Sequence, residues 1–210
     1  MALIAKDKGG GDFEPMAAGT HPARCCGIWD LGTHYEQGQG WAKSIHKILV
    51  QFEFPKQRIE IDGEDLPRVL SQKFTLSLHQ KSNLRPMLEA WREKSFTQEE
   101  LDGFEVRNVL GAPCKILVLH EKSKDGTKTY ANIKQVNKFP KEEMKPEFTI
   151  TPVFYDIEEH GINIPEGTPE WIQDLITSSD EYRELSGEGM VYQGPERDYE
   201  GPADDDDIPF

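Results

Sequence analysis

The residue types that commonly carry chemistry are present in this chain, but few stand where chemistry needs them. Carboxylates cluster in "DGED", "QEE" and "EEH", all in polar surroundings. A general acid needs an apolar setting that raises its pKa, so these read as solvated loops and helix caps. His21, Cys25 and Cys26 resemble a ligand set at first sight. Adjacent cysteines on a strand point to opposite faces, and Cys114 is remote, so packing is favoured over a zinc site. No G-x-x-x-x-G-K-[ST] or G-x-G-x-x-G occurs, and "KGGGD" precedes no helix. The expectation is a protein that is not an enzyme and uses no cofactor.

A second constellation is spread along the chain. His34, Tyr35 and Trp41 lie in one glycine-bearing stretch, followed by Lys43 and Lys47, then Lys73. Lys122, Lys124 and Lys128 surround a later turn, and Tyr130 and Lys134 share one strand face. Cations neutralise phosphates, and aromatic faces stack unpaired bases without regard to sequence. Each residue also has a bland reading, as solubilising lysine or core aromatic, so the set carries more weight than any member.

The elements that must position these residues follow from periodicity. "THPARCCGIWDL" reads as a first strand over 20–31, with "HYEQGQGW" as the loop after it. "AKSIHKILVQFEF" is a second strand with Ile48, Val50, Phe52 and Phe54 at period two. "PKQRIEIDGEDLP" reads as a polar connection, and "RVLSQKFTL" as a third strand facing inward with Leu70, Phe74 and Leu76. Leu84, Met87, Leu88 and Trp91 define a helix capped by Asn83, and Thr97 with Glu100 forms a capping box. "CKILVLHEK" and "KTYANIKQV" are the fourth and fifth strands, joined through an Asp-Gly hairpin signal.

Three strands, a helix and two strands is the element order of an OB-fold, a five-stranded Greek-key barrel, although other five-stranded arrangements share it. The expected class is therefore mainly β. Residues 1–16 read as a flexible leader, 17–140 as the OB-fold domain, and 141–185 as a strap and helix on or beside the barrel. That helix spans 168–185, with Thr168 as cap and Trp171, Ile172, Leu175 and Ile176 as its stripe. Residues 186–210 read as a disordered acidic tail.

The net charge of −14 is unevenly divided. Residues 1–140 hold 20 Lys and Arg against 18 Asp and Glu, while residues 141–210 hold 4 against 20. The body is near neutral and can still present a cationic groove. The odd set of three cysteines fits a reducing cytoplasm, and no apolar run approaches a membrane span.

The chain closes on "DDDDIPF". An acidic segment ending this way resembles the C-terminal tip of bacterial single-stranded DNA-binding proteins. The upstream body, through "KFTLSLHQKSNLRPMLEAWR", "LGAPC", "YANI" and "PEWIQ", is similar instead to single-stranded DNA-binding proteins of tailed bacteriophages. The resemblance implies a coat for single-stranded DNA in the cytoplasm of an infected bacterial host. It also implies recruitment of replication, recombination or repair proteins. Asp204, Asp205, Asp206 and Asp207 would face a basic rim on the partner, while Ile208, Pro209 and Phe210 fill an apolar pocket. It further implies that the tail competes with DNA for the groove. Duplex binding and homo-oligomerisation are left open. Two other readings stand beside it: a mimic of the host tip or of DNA that sequesters repair proteins, and a metal-dependent DNA-processing enzyme.

Overall fold

Ile48, Val50, Phe52 and Phe54 all enter one buried core, as their period-two spacing requires. The computed structural model of the protein describes residues 14–61 and 63–187. It is mainly β: β1 (Gly19–Gly38), β2 (Trp41–Ile61), β3 (Glu64–Thr75), β4 (Pro113–Lys122), β5 (Thr129–Lys138) and β6 (Val153–Tyr155) form one six-stranded sheet. The helices are α1 (Leu84–Arg92), α2 (Gln98–Asp102), α3 (Ile157–His160), α4 (Glu170–Thr177) and α5 (Asp180–Ser186). Among the described residues, no helix is long and apolar enough to cross a membrane.

The hydrogen-bonded order is β3-β2-β1-β4-β5, all antiparallel, with β6 added parallel to β1. β1 is the hub. From Arg24 to Gly38 it pairs with β2, while its other edge is shared between β4 at Gly19–Arg24 and β6 at Gly27–Trp29. The closed barrel anticipated from element order is not formed: β3 and β5 are the two ends of the path and exchange no ladder hydrogen bonds.

Two segments read from sequence as loops are β-hairpin arms. "HYEQGQGW" continues β1 into β2, with Gly38 directly opposite Trp41. "PKQRIEIDGEDLP" extends β2 into β3, pairing Arg58 with Pro67 through Ile61 with Glu64. Its turn carries Gly63 at φ +85°, the conformation an Asp-Gly hairpin uses. Glycine and charge density concealed both arms, because an exposed two-stranded ribbon needs no apolar face.

The main core gathers the inward side of β1, β2, β4 and β5 under Leu84, Leu88 and Trp91 of α1. Met16, assigned from sequence to a flexible leader, is buried in it, and the Met16 carbonyl accepts from His120 Nε2 at 2.8 Å. Leu76, expected inside, is 42% exposed at the end of β3. The opposite sheet face is also covered. Trp29, Leu31 and Leu49 pack with Tyr155, Ile157, Ile172 and Ile176 from the C-terminal segment. Each of the two isoleucines from α4 contributes about 1.5–3 kcal/mol on full burial.

Local signals fared unevenly. The Thr97–Glu100 capping box is formed, with Glu100 N–H donating to Thr97 Oγ1 at 3.2 Å. Asn83 makes no capping hydrogen bond, and the Ser82 hydroxyl accepts from Arg85 N instead. Thr168 is not a cap either, because its hydroxyl donates to the Pro165 carbonyl at 2.5 Å. The helix expected over 168–185 breaks in two, since Ser179 leaves helical geometry to cap α5 by accepting from Tyr182 N. Trp171, counted in the buried stripe, is 46% exposed.

Candidate nucleic-acid interface

The seam left open between β3 and β5 is a cleft. Its upper part, about 1090 Å³, lies between Leu66–Leu70 on one wall and Thr127–Asn132 on the other, with Ile59 and Ile61 of the arm at its mouth. Its lower part, about 710 Å³, continues between Leu70–Gln72 with Phe74 and Ala131–Val136, over Pro86, Met87 and Ala90 of α1. Leu70, Ala131 and Asn132 line both parts, so the two are continuous. Beyond Phe74 and Asn83 a small depression of about 150 Å³ gathers Lys47, Lys73 and Lys81.

Strand geometry explains what faces the cleft. Ala131, Ile133 and Val136 pack inward, and the parity changes between the last two because β5 carries an extra residue, Lys134, opposite the Leu117–Val118 step. Tyr130 therefore lines the upper part, 51% exposed, and Lys134 the lower. Lys128 joins Tyr130 at the rim.

The ion pairs are distributed unequally. Arg24, Arg58, Arg85, Arg92, Arg107, Lys94, Lys115 and Lys138 each hold a carboxylate. Lys73, Lys122, Lys124, Lys128 and Lys134 have no carboxylate partner among the described residues. A cation without a fixed counter-ion gives up only mobile ions when a phosphate arrives. Lys47 differs, since its ammonium is already held by Glu36.

The remaining sequence candidates are not in the cleft. Tyr35, 41% exposed, stands on the β1–β2 arm with Trp41 and Lys43. The Trp41 indole lies against Gly38, where an added Cβ would come within 2.3 Å of it. Lys43 Nζ sits 5.7 Å from the Trp41 ring centroid. His34 turns back to its own strand, its Nε2 lying 2.8 Å from the Leu31 carbonyl oxygen. Lys122 and Lys124 flank the β4–β5 turn. Asp204 to Phe210 lie outside the described residues. Sequence reasoning missed Ile59, Ile61, Leu66, Arg68, Val69 and Lys81. The period-two pair Ile59 and Ile61 ahead of Asp62-Gly63 was the available signal.

Among the described residues, no group of three His, Cys, Asp or Glu side chains is placed to hold a metal ion. Cys25, Cys26 and Cys114 are buried free thiols, although a register shift does fall at Cys26. Burial pushes the Cys26 thiol up to about 12 and raises Cys25 and Cys114 as well, which leaves no thiolate for attack.

One polar cluster lies on the opposite face. His46 Nε2 is 2.6 Å from Asp30 Oδ1, and Glu181 of α5 accepts from the Thr33 hydroxyl at 2.5 Å and from Thr33 N at 2.6 Å. The backbone fits closely here: Gly32, at φ +70°, would place a Cβ 2.5 Å from the Ser179 Cβ. Thr33 Oγ1 is 3.5 Å from His46 Nδ1, but its proton is committed to Glu181, so the cluster fastens α5 and does not activate a hydroxyl.

The hydrogen bond to Asp30 raises the pKa of His46 above 6.5 against the effect of burial, with Glu181 and Asp156 adding in the same direction. Burial opposes ionisation of Asp30 and Glu181, but hydrogen bonds from His46 and Gly32 N, and from Thr33, hold both below their ordinary values of 3.8 and 4.5. The His46 contribution is thus complete below about pH 6.5 and is lost as pH rises through its higher folded value. The carboxylate contributions are lost as pH falls through their lowered folded values. Stability is expected to decline across neutral pH in the native chain and to stay flatter in His46→Gln. Denaturant titrations at pH 5.5 and 8 check this, and equal pH dependence in both chains would exclude the latch.

No protein-family model matches the chain, and no curated protein matches it significantly in sequence.

Proposed function

We propose that the chain is a non-catalytic single-stranded DNA-binding protein of phage replication and recombination, acting in the cytoplasm of the infected host. The observation that carries the reading is the β3–β5 cleft. It offers apolar walls and the Tyr130 face to bases, and to phosphates Lys73, Lys128 and Lys134, which have no carboxylate partner among the described residues. A cleft between two edges accepts a splayed strand, whose bases are free to enter it; a stacked duplex keeps its base faces inside.

The strand order supports an OB-fold reading as well. A path running β3-β2-β1-β4-β5 is that of a five-stranded Greek-key barrel opened at the β3–β5 seam, and OB barrels are partly open. On this reading residues 17–140 are the DNA-binding body, 141–185 its added layer, and the terminal DDDDIPF the docking point for replication or repair proteins. Three free thiols fit a reducing compartment.

Fluorescence anisotropy with labelled oligonucleotides tests the proposal. The full chain is expected to bind single strands with little sequence preference, more tightly than duplex, and with affinity falling steeply as salt rises. Deleting residues 204–210 should leave that affinity equal or higher and abolish capture of replication proteins. Absence of single-strand affinity in both chains would overturn the proposal. Partner capture persisting without it would favour the tip-mimic reading.

A further inference from the structure

A cationic pocket of about 430 Å³ lies at the far end of α1 from the Lys47, Lys73 and Lys81 depression. Trp91 and Phe139 line it, together with Arg92, Lys138, Lys141 and Lys145. None of these six residues belongs to the sequence constellation.

Their charges are in different states. The Arg92 guanidinium is held between the Phe96 and Phe104 rings, 4.6 and 4.9 Å from their centroids, and is paired with Glu100. Its Nη1 is buried with no hydrogen-bond partner among the described residues, so Arg92 adds positive charge beneath the pocket without presenting that donor to solvent. Lys138 shares Glu93 at 2.9 Å. Nearby Lys115 is occupied by Glu143 and sits 5.3 Å from the Phe139 ring centroid. Lys141 and Lys145 have no carboxylate partner among the described residues. Between them Met144 is 93% exposed, an apolar side chain next to unneutralised cations.

The position indicates the ligand. β5 walls the upper cleft with residues 129–132 and the lower cleft with 131–136, and then supplies Lys138 to this pocket. α1 likewise gives Met87 and Ala90 to the lower cleft, and Trp91 and Arg92 to the pocket. The two sites are thus successive stations along one wall of ten residues, on the order of 33 Å at strand rise.

We propose that this pocket takes the phosphodiester backbone of the same DNA strand as it leaves the β3–β5 cleft past the end of α1. The inference rests on reading that cleft as a single-strand groove. Bases are held in the cleft, and the departing phosphates meet Lys141 and Lys145, with the charge of the fixed Arg92 behind them. The strand is thereby led around α1 and away from the β1–β2 arm. A second consequence concerns length: strands that end inside the cleft never reach the pocket.

The test uses the full chain and its Lys141→Gln/Lys145→Gln variant with oligothymidylates of about 5 and about 16 nucleotides, spanning the usual range of site sizes for such folds. Both lysines are surface side chains, and a thermal melt confirms that the variant is folded. The variant is expected to bind the short strand as the native chain does and the long strand roughly 5–20-fold more weakly, with the salt slope for the long strand smaller by about 1.4 for two lost phosphate contacts. Equal affinities for the long strand, or equal losses for both lengths, would overturn the pocket while leaving the cleft reading intact. No binding of either strand by the native chain would overturn both. The same comparison in a chain ending at residue 187 excludes the other anionic occupant. If the loss vanishes there, the pocket holds the acidic tail and the proposal is wrong.

Discussion

Tyr130→Ala is expected to weaken single-strand binding by about 1–3 kcal/mol, roughly 5- to 150-fold, the usual worth of one base–aromatic stack. The side chain is half exposed and packs in neither core, so the loss should come without a change in melting temperature. Combining it with glutamine at Lys73, Lys128 and Lys134 removes three trough cations that have no carboxylate partner among the described residues, and should lower the salt slope by about 2. The informative control is Lys122→Gln/Lys124→Gln. These lysines also have no carboxylate partner among the described residues, but they lie at a turn outside the cleft, and a general attraction of lysine for DNA would make the two sets equivalent. Anisotropy titrations over a range of salt decide the matter. Affinity within twofold of native for Tyr130→Ala would remove the cleft from the binding path.

Glu53→Ala is expected to have the largest effect on stability, about 3–5 kcal/mol, because it strands a charge inside the protein. Glu53 is fully buried on β2 and receives Arg24 Nη2 at 2.7 Å. Its other oxygen accepts from Thr149 N at 2.7 Å and Ile150 N at 3.2 Å, while Arg24 donates to the Ile150 carbonyl at 2.5 Å and lies 4.8 Å from the Phe148 ring centroid. One carboxylate therefore joins the sheet to the segment leading into β6. Removing it leaves the guanidinium without its counter-ion and two strap amides without an acceptor. Arg24 Nε is already unpartnered, so the pair is incompletely satisfied. An apolar double replacement, Arg24→Met with Glu53→Leu, should then cost less than Glu53→Ala alone. Guanidinium denaturation measures both variants, and a loss below about 1 kcal/mol for Glu53→Ala would contradict this account.

Where the sequence was legible, one physical rule dominated. β2 read correctly from Ile48 to Phe54 because those residues fill one core, and α1 because Leu84, Leu88 and Trp91 do the same. The misses fall where two demands compete. Glu53 alternates with the core residues of β2 and by that rule belongs outside, but it is buried against groups from distant parts of the chain. Leu49 alternates with the core residues and should face solvent, yet the C-terminal segment gives that face a second core. Ser179 ended a helix that its neighbours would have continued, since its hydroxyl satisfies the next helix's open N–H. The binding candidates divided similarly. Tyr130, Lys128, Lys134 and Lys73 reach the trough because strand position determines where they lie. Tyr35 and Trp41 read as loop residues and stand instead on a ribbon, beside Lys43 of β2.

β1 also sets the order in which the protein can be assembled. It is complete early in synthesis and finds β2 at once through a tight hairpin, but its remaining edge waits for β4 and then for Val153–Tyr155. Until those residues emerge, Trp29, Leu31 and Leu49 have no cover, and Glu53 lacks the strap amides it accepts from. A nascent chain stalled near residue 140 would be a half-faced sheet exposing apolar surface to solvent, a species prone to aggregation. The C-terminal layer thus completes folding as well as adding bulk, and the acidic residues that follow it are the last of the chain to be made.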